Sequence, residues 1–117
     1  MEMLIAHIFM VRNAAHIAHW KTDSYARHEA LGKFYESVIE LLDGLVEASM
    51  GAAGVIKDVP DMKSDQSADI VDLLRDEVVW LEKNKPECCK NISALENILE
   101  EIVALYLQTI YKLENLR

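Results

Sequence analysis

His16 to Glu47 reads HIAHWKTDSYARHEALGKFYESVIELLDGLVE, and the rest of the chain is organised around it. The stretch holds three of the four histidines, one of the two tryptophans and a spaced row of carboxylates. Near its start, Lys21-Thr22-Asp23-Ser24 offers several N-cap candidates for a new helix. Beyond them Leu31, Phe34, Val38, Leu42 and Leu45 recur at helical spacing. That period predicts one long helix from about Ser24 to Ser49.

Upstream, Met3 to Trp20 is apolar on nearly every side, through Leu4, Ile5, Ile8, Phe9, Val11, Ala15 and Ile17. A helix of that kind is covered on more than one face. Glu2, Arg12, Asn13 and the histidines interrupt it, and no basic leader or A-x-A site accompanies it, so it reads as a buried helix rather than a membrane or signal segment. Downstream, Gly51-Ala52-Ala53-Gly54 ends the long helix and a connection containing Pro60 follows to about Ser64. At about 3.3 Å per residue, that connection can run back along the preceding helix.

A third helix is expected over Ser67–Asn84, with Ile70, Leu73, Leu74, Val78 and Leu81 inward, Asp69 and Asp72 in its first turns, and Lys85-Pro86 as its stop. Ser93-Ala94-Leu95-Glu96 reads as a capping box opening a fourth helix, with Ile98, Ile102, Leu105, Thr109 and Leu113 on one stripe. The pattern predicts an all-α fold, a single domain over residues 1–117. Its architecture is a four-helix bundle with one long crossover between helices two and three, the ferritin-like arrangement among bundle topologies.

Composition narrows the function. A formal charge of −8 with no block of Lys or Arg argues against nucleic acid as a direct partner. Cys88 and Cys89 are adjacent, which suits neither a disulfide nor a CxxC motif, and they read as reduced thiols of a cytoplasmic protein.

The metal-ligating side chains fall in two groups. His16 and His19 share a face at the end of helix one, and His28 sits just inside helix two, so His19 and His28 meet across the turn. Asp43 and Glu47 lie one turn apart further along helix two. At 1.5 Å per residue, Asp43 is about 22 Å from His28 within one chain. Two copies pairing helix two antiparallel would bring His28 of one level with Asp43 of the other. Mixed imidazole and carboxylate ligands suit Fe(II), Mn(II) or Zn(II).

The run His19-Trp20, His28-Glu29, Tyr35 and Asp43-x-x-x-Glu47 resembles the Dps-type mini-ferritins. The resemblance covers residues 16–47. It implies an iron-binding, possible ferroxidase centre at a two-fold interface, oxidising Fe(II) with dioxygen or peroxide. His19 and His28 match the family's histidines, and Asp43 and Glu47 match the carboxylates contributed by the partner copy. Tyr35 falls where that family has a tyrosine, and His16 and Trp20 stand beside the ligands. The chain departs from the pattern in a shorter His19-to-His28 interval and in Gly32, which stands where the family has a further acidic ligand.

Taken without the resemblance, Asp43 and Glu47 continue an acidic stripe with Glu36 and Glu40, and such stripes are ordinarily solvated. His19 and His28 alone read as histidines hydrogen-bonded near a turn, and His7 carries no functional expectation. The alternative function is a metal-free homodimeric interaction module with its seam on Ile39, Val46 and Trp20. A third reading is a Mg-dependent all-α nucleotide pyrophosphatase, suggested by Glu40-x-x-Asp43 and Asp69-x-x-Asp72.

Overall fold

The computed structural model describes residues 1–116 as four helices, α1 (Glu2–Lys21), α2 (Tyr25–Ala53), α3 (Ile70–Cys88) and α4 (Ser93–Asn115). Leu4, Ile5, Ala6, His7 and Ile8 are buried one after another. A run of that length cannot be covered by a single neighbour, because consecutive residues on a helix point in different directions. Here α1 is flanked by α2 and α3, and the crossover runs along a further side.

The path of that crossover fixes the topology. The backbone N–H of Lys57 donates to Glu2 Oε2 at 2.7 Å, at the start of α1. Val59, Pro60 and Met62 lie against Ala6, Phe9 and Met10, and Ser64 and Gln66 reach the level of Ile17. The strap therefore traverses α1 from end to end. It delivers α3 to the end of the bundle where α1 stops and α2 starts. The helices alternate up, down, down, up, and the neighbours are α1–α2, α2–α4, α4–α3 and α3–α1. The two helices joined by the crossover, α2 and α3, occupy a diagonal.

Each helix has two neighbours, so its buried arc is wider than a single stripe. On α3, Val71 and Glu77 are buried beside Ile70, Leu74 and Leu81, while Leu73 and Val78 are half-buried. On α4, Leu95, Leu99, Val103, Tyr106 and Ile110 join Ile102, Thr109 and Leu113, and Ile98 and Leu105 move to the flank. Phe34 and Tyr106 meet edge to face at 5.1 Å in the middle of the core.

Helix ends follow the local chemistry, with two corrections to the sequence reading. Ser24 caps α2 by accepting from the Arg27 N–H at 3.2 Å, and Asp69 caps α3 by accepting from the Val71 N–H at 2.7 Å. Gly54, at φ 90, ends α2 in a conformation that side chains disfavour. Pro86, expected to stop α3, instead lies within its last turn. The ring removes one backbone donor there. Lys85 Nζ, 2.7 Å from Glu100 Oε1 and 3.6 Å from Glu82 Oε2, fastens that turn to α4 and to α3 itself. The helix ends at Cys88 because Lys90 and Asn91 adopt φ of 54 and 58. The expected capping box at Ser93 does not form. Ile92 is the N-cap and Ser93 already the first helical residue, so its hydroxyl caps nothing.

Candidate metal centre

The turn Thr22-Asp23-Ser24 is short enough to hold the last turn of α1 against the first turn of α2. Thr22 Oγ1 accepts from the Ser24 N–H at 3.2 Å, tightening it. The result is that His19 and His28 face each other, ring centroids 3.7 Å apart and planes 19° from parallel. Each ring also reaches the other's backbone. His19 Nδ1 lies 2.6 Å from the His28 carbonyl oxygen, and His28 Nδ1 lies 2.9 Å from that of His19. A carbonyl oxygen only accepts, so both Nδ1 atoms must be donors. In the neutral rings both Nε2 atoms then carry free lone pairs. Fixing one imidazole nitrogen by a backbone carbonyl so that the other can bind is the usual support of a metal-ligating histidine.

Gly32 belongs to this arrangement. A Cβ at that position would lie 3.1 Å from His19 Cε1 and 3.3 Å from its Nδ1. The His19 ring occupies the space that an acidic side chain at position 32 would need. An open cleft beside the pair is bounded by Glu29, Lys33 and Glu36.

His16, Trp20 and Tyr35 pack around the pair. His16 stacks on Tyr35 at 3.9 Å and touches Trp20 at 4.3 Å, and Tyr35 meets His19 edge-on at 5.3 Å. The Arg12 guanidinium lies 5.5 Å from the Tyr35 ring centre. Burial, and after it the charges of Arg12 and His19, hold the His16 pKa below its ordinary value. Trp20 remains 67% exposed, which leaves an indole on the outer surface of this cluster.

Asp43 and Glu47 do not join the histidines within the chain. Both are exposed, further along α2. Among the described residues no three His, Cys, Asp or Glu side chains converge on one point of a single chain. Of the four residues matched to the ligand set, the histidines are brought together and the carboxylates are not.

One polar constellation escaped the sequence reading. His7 Nδ1 lies 2.8 Å from Glu77 Oε2 between α1 and α3, and the His7 ring stacks on Trp80 at 3.5 Å. Burial holds the Glu77 pKa above its ordinary value, with His7 pulling the other way. Tyr106 is wholly buried, its hydroxyl has no hydrogen-bond partner among the described residues, and burial pushes its pKa up. The spacing Leu74-x-x-Glu77-x-x-x-Leu81 carried the signal, since it sets Glu77 on the inward face of α3.

Residues 19–113 match the Family of unknown function (DUF5856). The chain belongs to this family. The DUF5856 match begins at His19 itself, so it takes in both rings of the clasp, Gly32 and both carboxylates, and leaves out His7 and His16. Compared with curated proteins and with solved structures, the chain matches none. No helix among the described residues is long and apolar enough to cross a membrane.

Proposed function

We propose that this chain is a ferritin-like metal-binding protein of the Dps type, taking up Fe(II) between two copies paired through α2. The observation that carries the reading is the reciprocal clasp of His19 and His28, which leaves both Nε2 atoms available. His19 and His28 of one copy would hold the metal with Asp43 and Glu47 of the other. The single crossover joining diagonal helices supports the ferritin-like assignment. Imidazole and carboxylate together suit Fe(II), with Mn(II) or Zn(II) as substitutes. As a ferroxidase the protein would take Fe(II) as substrate, its electron passing to dioxygen or peroxide.

A second reading is a metal-free homodimeric module. The same clasp favours it in one respect: each Nδ1 already has its hydrogen-bond partner, so the pair locks the α1–α2 turn without any metal. The pyrophosphatase reading has the least support, because Asp69 is committed to capping α3.

Anaerobic titration of the metal-free protein with Fe(II), with oligomeric mass measured on the same sample, tests the proposal. Saturation at about one or two metals per subunit is expected, in a dimer or larger assembly. Binding should be lost in both His28→Ala and Asp43→Ala. A folded dimer that takes up no metal would leave the interaction module.

A further inference from the structure

The bundle end where α1 stops and α2 and α3 begin holds a half-open cavity of about 270 Å³, bordered by the last residues of the crossover. Its floor is apolar, built by Ala18, Leu31, Ile70 and Leu73. It shares no lining residue with the histidine cleft. Two cations, Lys21 and Arg27, stand at its wall, and among the described residues neither side chain makes an ion pair or a hydrogen bond.

Among the described residues one carboxylate, Asp65, lines the cavity, and its hydrogen bonds to Ser67 hold its pKa below the ordinary value, so two cations face one anion there. Asp65 Oδ1 accepts from the Ser67 N–H at 3.0 Å and from Ser67 Oγ at 2.6 Å. Two unengaged cations against one carboxylate leave the cavity wall net positive over an apolar floor, in a chain whose net charge is −8. Charge complementarity selects an anion with an apolar body.

We propose that this cavity binds a medium-chain carboxylate, with the alkyl chain on the Leu31–Leu73 floor and the carboxylate between Lys21 and Arg27. The volume lies just under the usual range of ligand pockets, about 300–1,000 Å³, which suits a chain of about eight carbons rather than a full-length lipid. An arginine and a lysine converging on one carboxylate supply charge-assisted hydrogen bonds that a neutral head group cannot receive as strongly. The proposal is independent of iron binding.

The test is titration of the metal-free full chain with octanoate, octan-1-ol and octylammonium, followed calorimetrically and by backbone amide shifts. Octanoate is expected to bind saturably and to shift the amides of Ala18, Lys21, Arg27 and Leu73. Octan-1-ol should bind about tenfold more weakly, and the Lys21→Gln, Arg27→Gln double variant should bring octanoate down to the same level. Ala18→Phe fills the floor and should abolish both. The double variant alters only side chains without structural partners, so it reports even where Ala18→Phe fails to fold. Absence of saturable binding, equal affinity for octanoate and octan-1-ol, a preference for octylammonium, or full octanoate affinity in the double variant would each overturn the proposal.

Discussion

His7 on α1 and Glu77 on α3 are joined across the bundle at 2.8 Å, each side chain only 10% exposed. Removing one member of such a pair strands the other in an apolar interior, which costs more than the pair contributes. His7→Ala is expected to destabilise the protein by about 3 kcal/mol. Replacing both residues by leucine should cost less than the single change. Urea denaturation of the three proteins gives the comparison directly.

The same pair makes stability depend on pH. Burial holds the Glu77 carboxyl above its ordinary value of 4.5, so the folded chain binds that proton more tightly than the unfolded chain. The contribution is fully present below pH 4.5 and is lost as pH rises through the folded-state value. Glu77→Gln should flatten that part of the stability profile. An unchanged slope in the variant would assign the dependence to other groups.

Two of the glycines inside α2 should respond unequally. Nothing lies within 4 Å of a Cβ built at Gly44, so Gly44→Ala is expected to gain about 1 kcal/mol of helix propensity. At Gly32 the same gain is opposed by the His19 ring at 3.1 Å. Gly32→Ala should therefore be less stabilising than Gly44→Ala and should shift the His19 ring resonances. Thermal unfolding and proton NMR of the histidines read the two effects separately.

Two serines near helix starts are likewise unequal. Ser24 holds the Arg27 N–H, and Ser24→Ala should cost about 1 kcal/mol. Ser93 caps nothing, so Ser93→Ala should stay within about 0.5 kcal/mol of the parent. Equal losses at both sites would contradict a helix that starts at Ser93 with Ile92 as its N-cap.

The buried hydroxyl of Tyr106 has no hydrogen-bond partner among the described residues, so deleting it removes a desolvated polar group and no hydrogen bond. Tyr106→Phe is expected to be neutral or stabilising by up to about 1 kcal/mol in chemical denaturation.

Periodicity was enough to read the four helices, because apolar spacing is set by burial and burial dominates the fold. It also placed His19 near His28, since a short turn leaves those residues few other positions. It could not place the end of α3. Pro86 is a strong local signal, yet the last turn of a helix tolerates a missing donor and Lys85 anchors that turn to Glu100. Nor could it place the start of α4, where the left-handed pair Lys90 and Asn91 decides which residue enters the helix first. The His7–Glu77 pair was hidden for another reason. Spacing sets Glu77 on the inward face of α3, but nothing in it points to His7, seventy positions away, as the partner. In the proposed site Asp43 and Glu47 would act as ligands only from a second copy, and one chain's sequence specifies such a pairing weakly.

The crossover divides the molecule into two helical hairpins, α1–α2 and α3–α4, each closed by a turn of a few residues. Contacts within a hairpin are local and form quickly, whereas the α1–α3 and α2–α4 faces join distant parts of the chain. The strap is what makes that docking intramolecular. Severed between Val55 and Ala68, the protein would become two fragments, and the docking of one hairpin on the other, intramolecular in the intact chain, would come to depend on concentration.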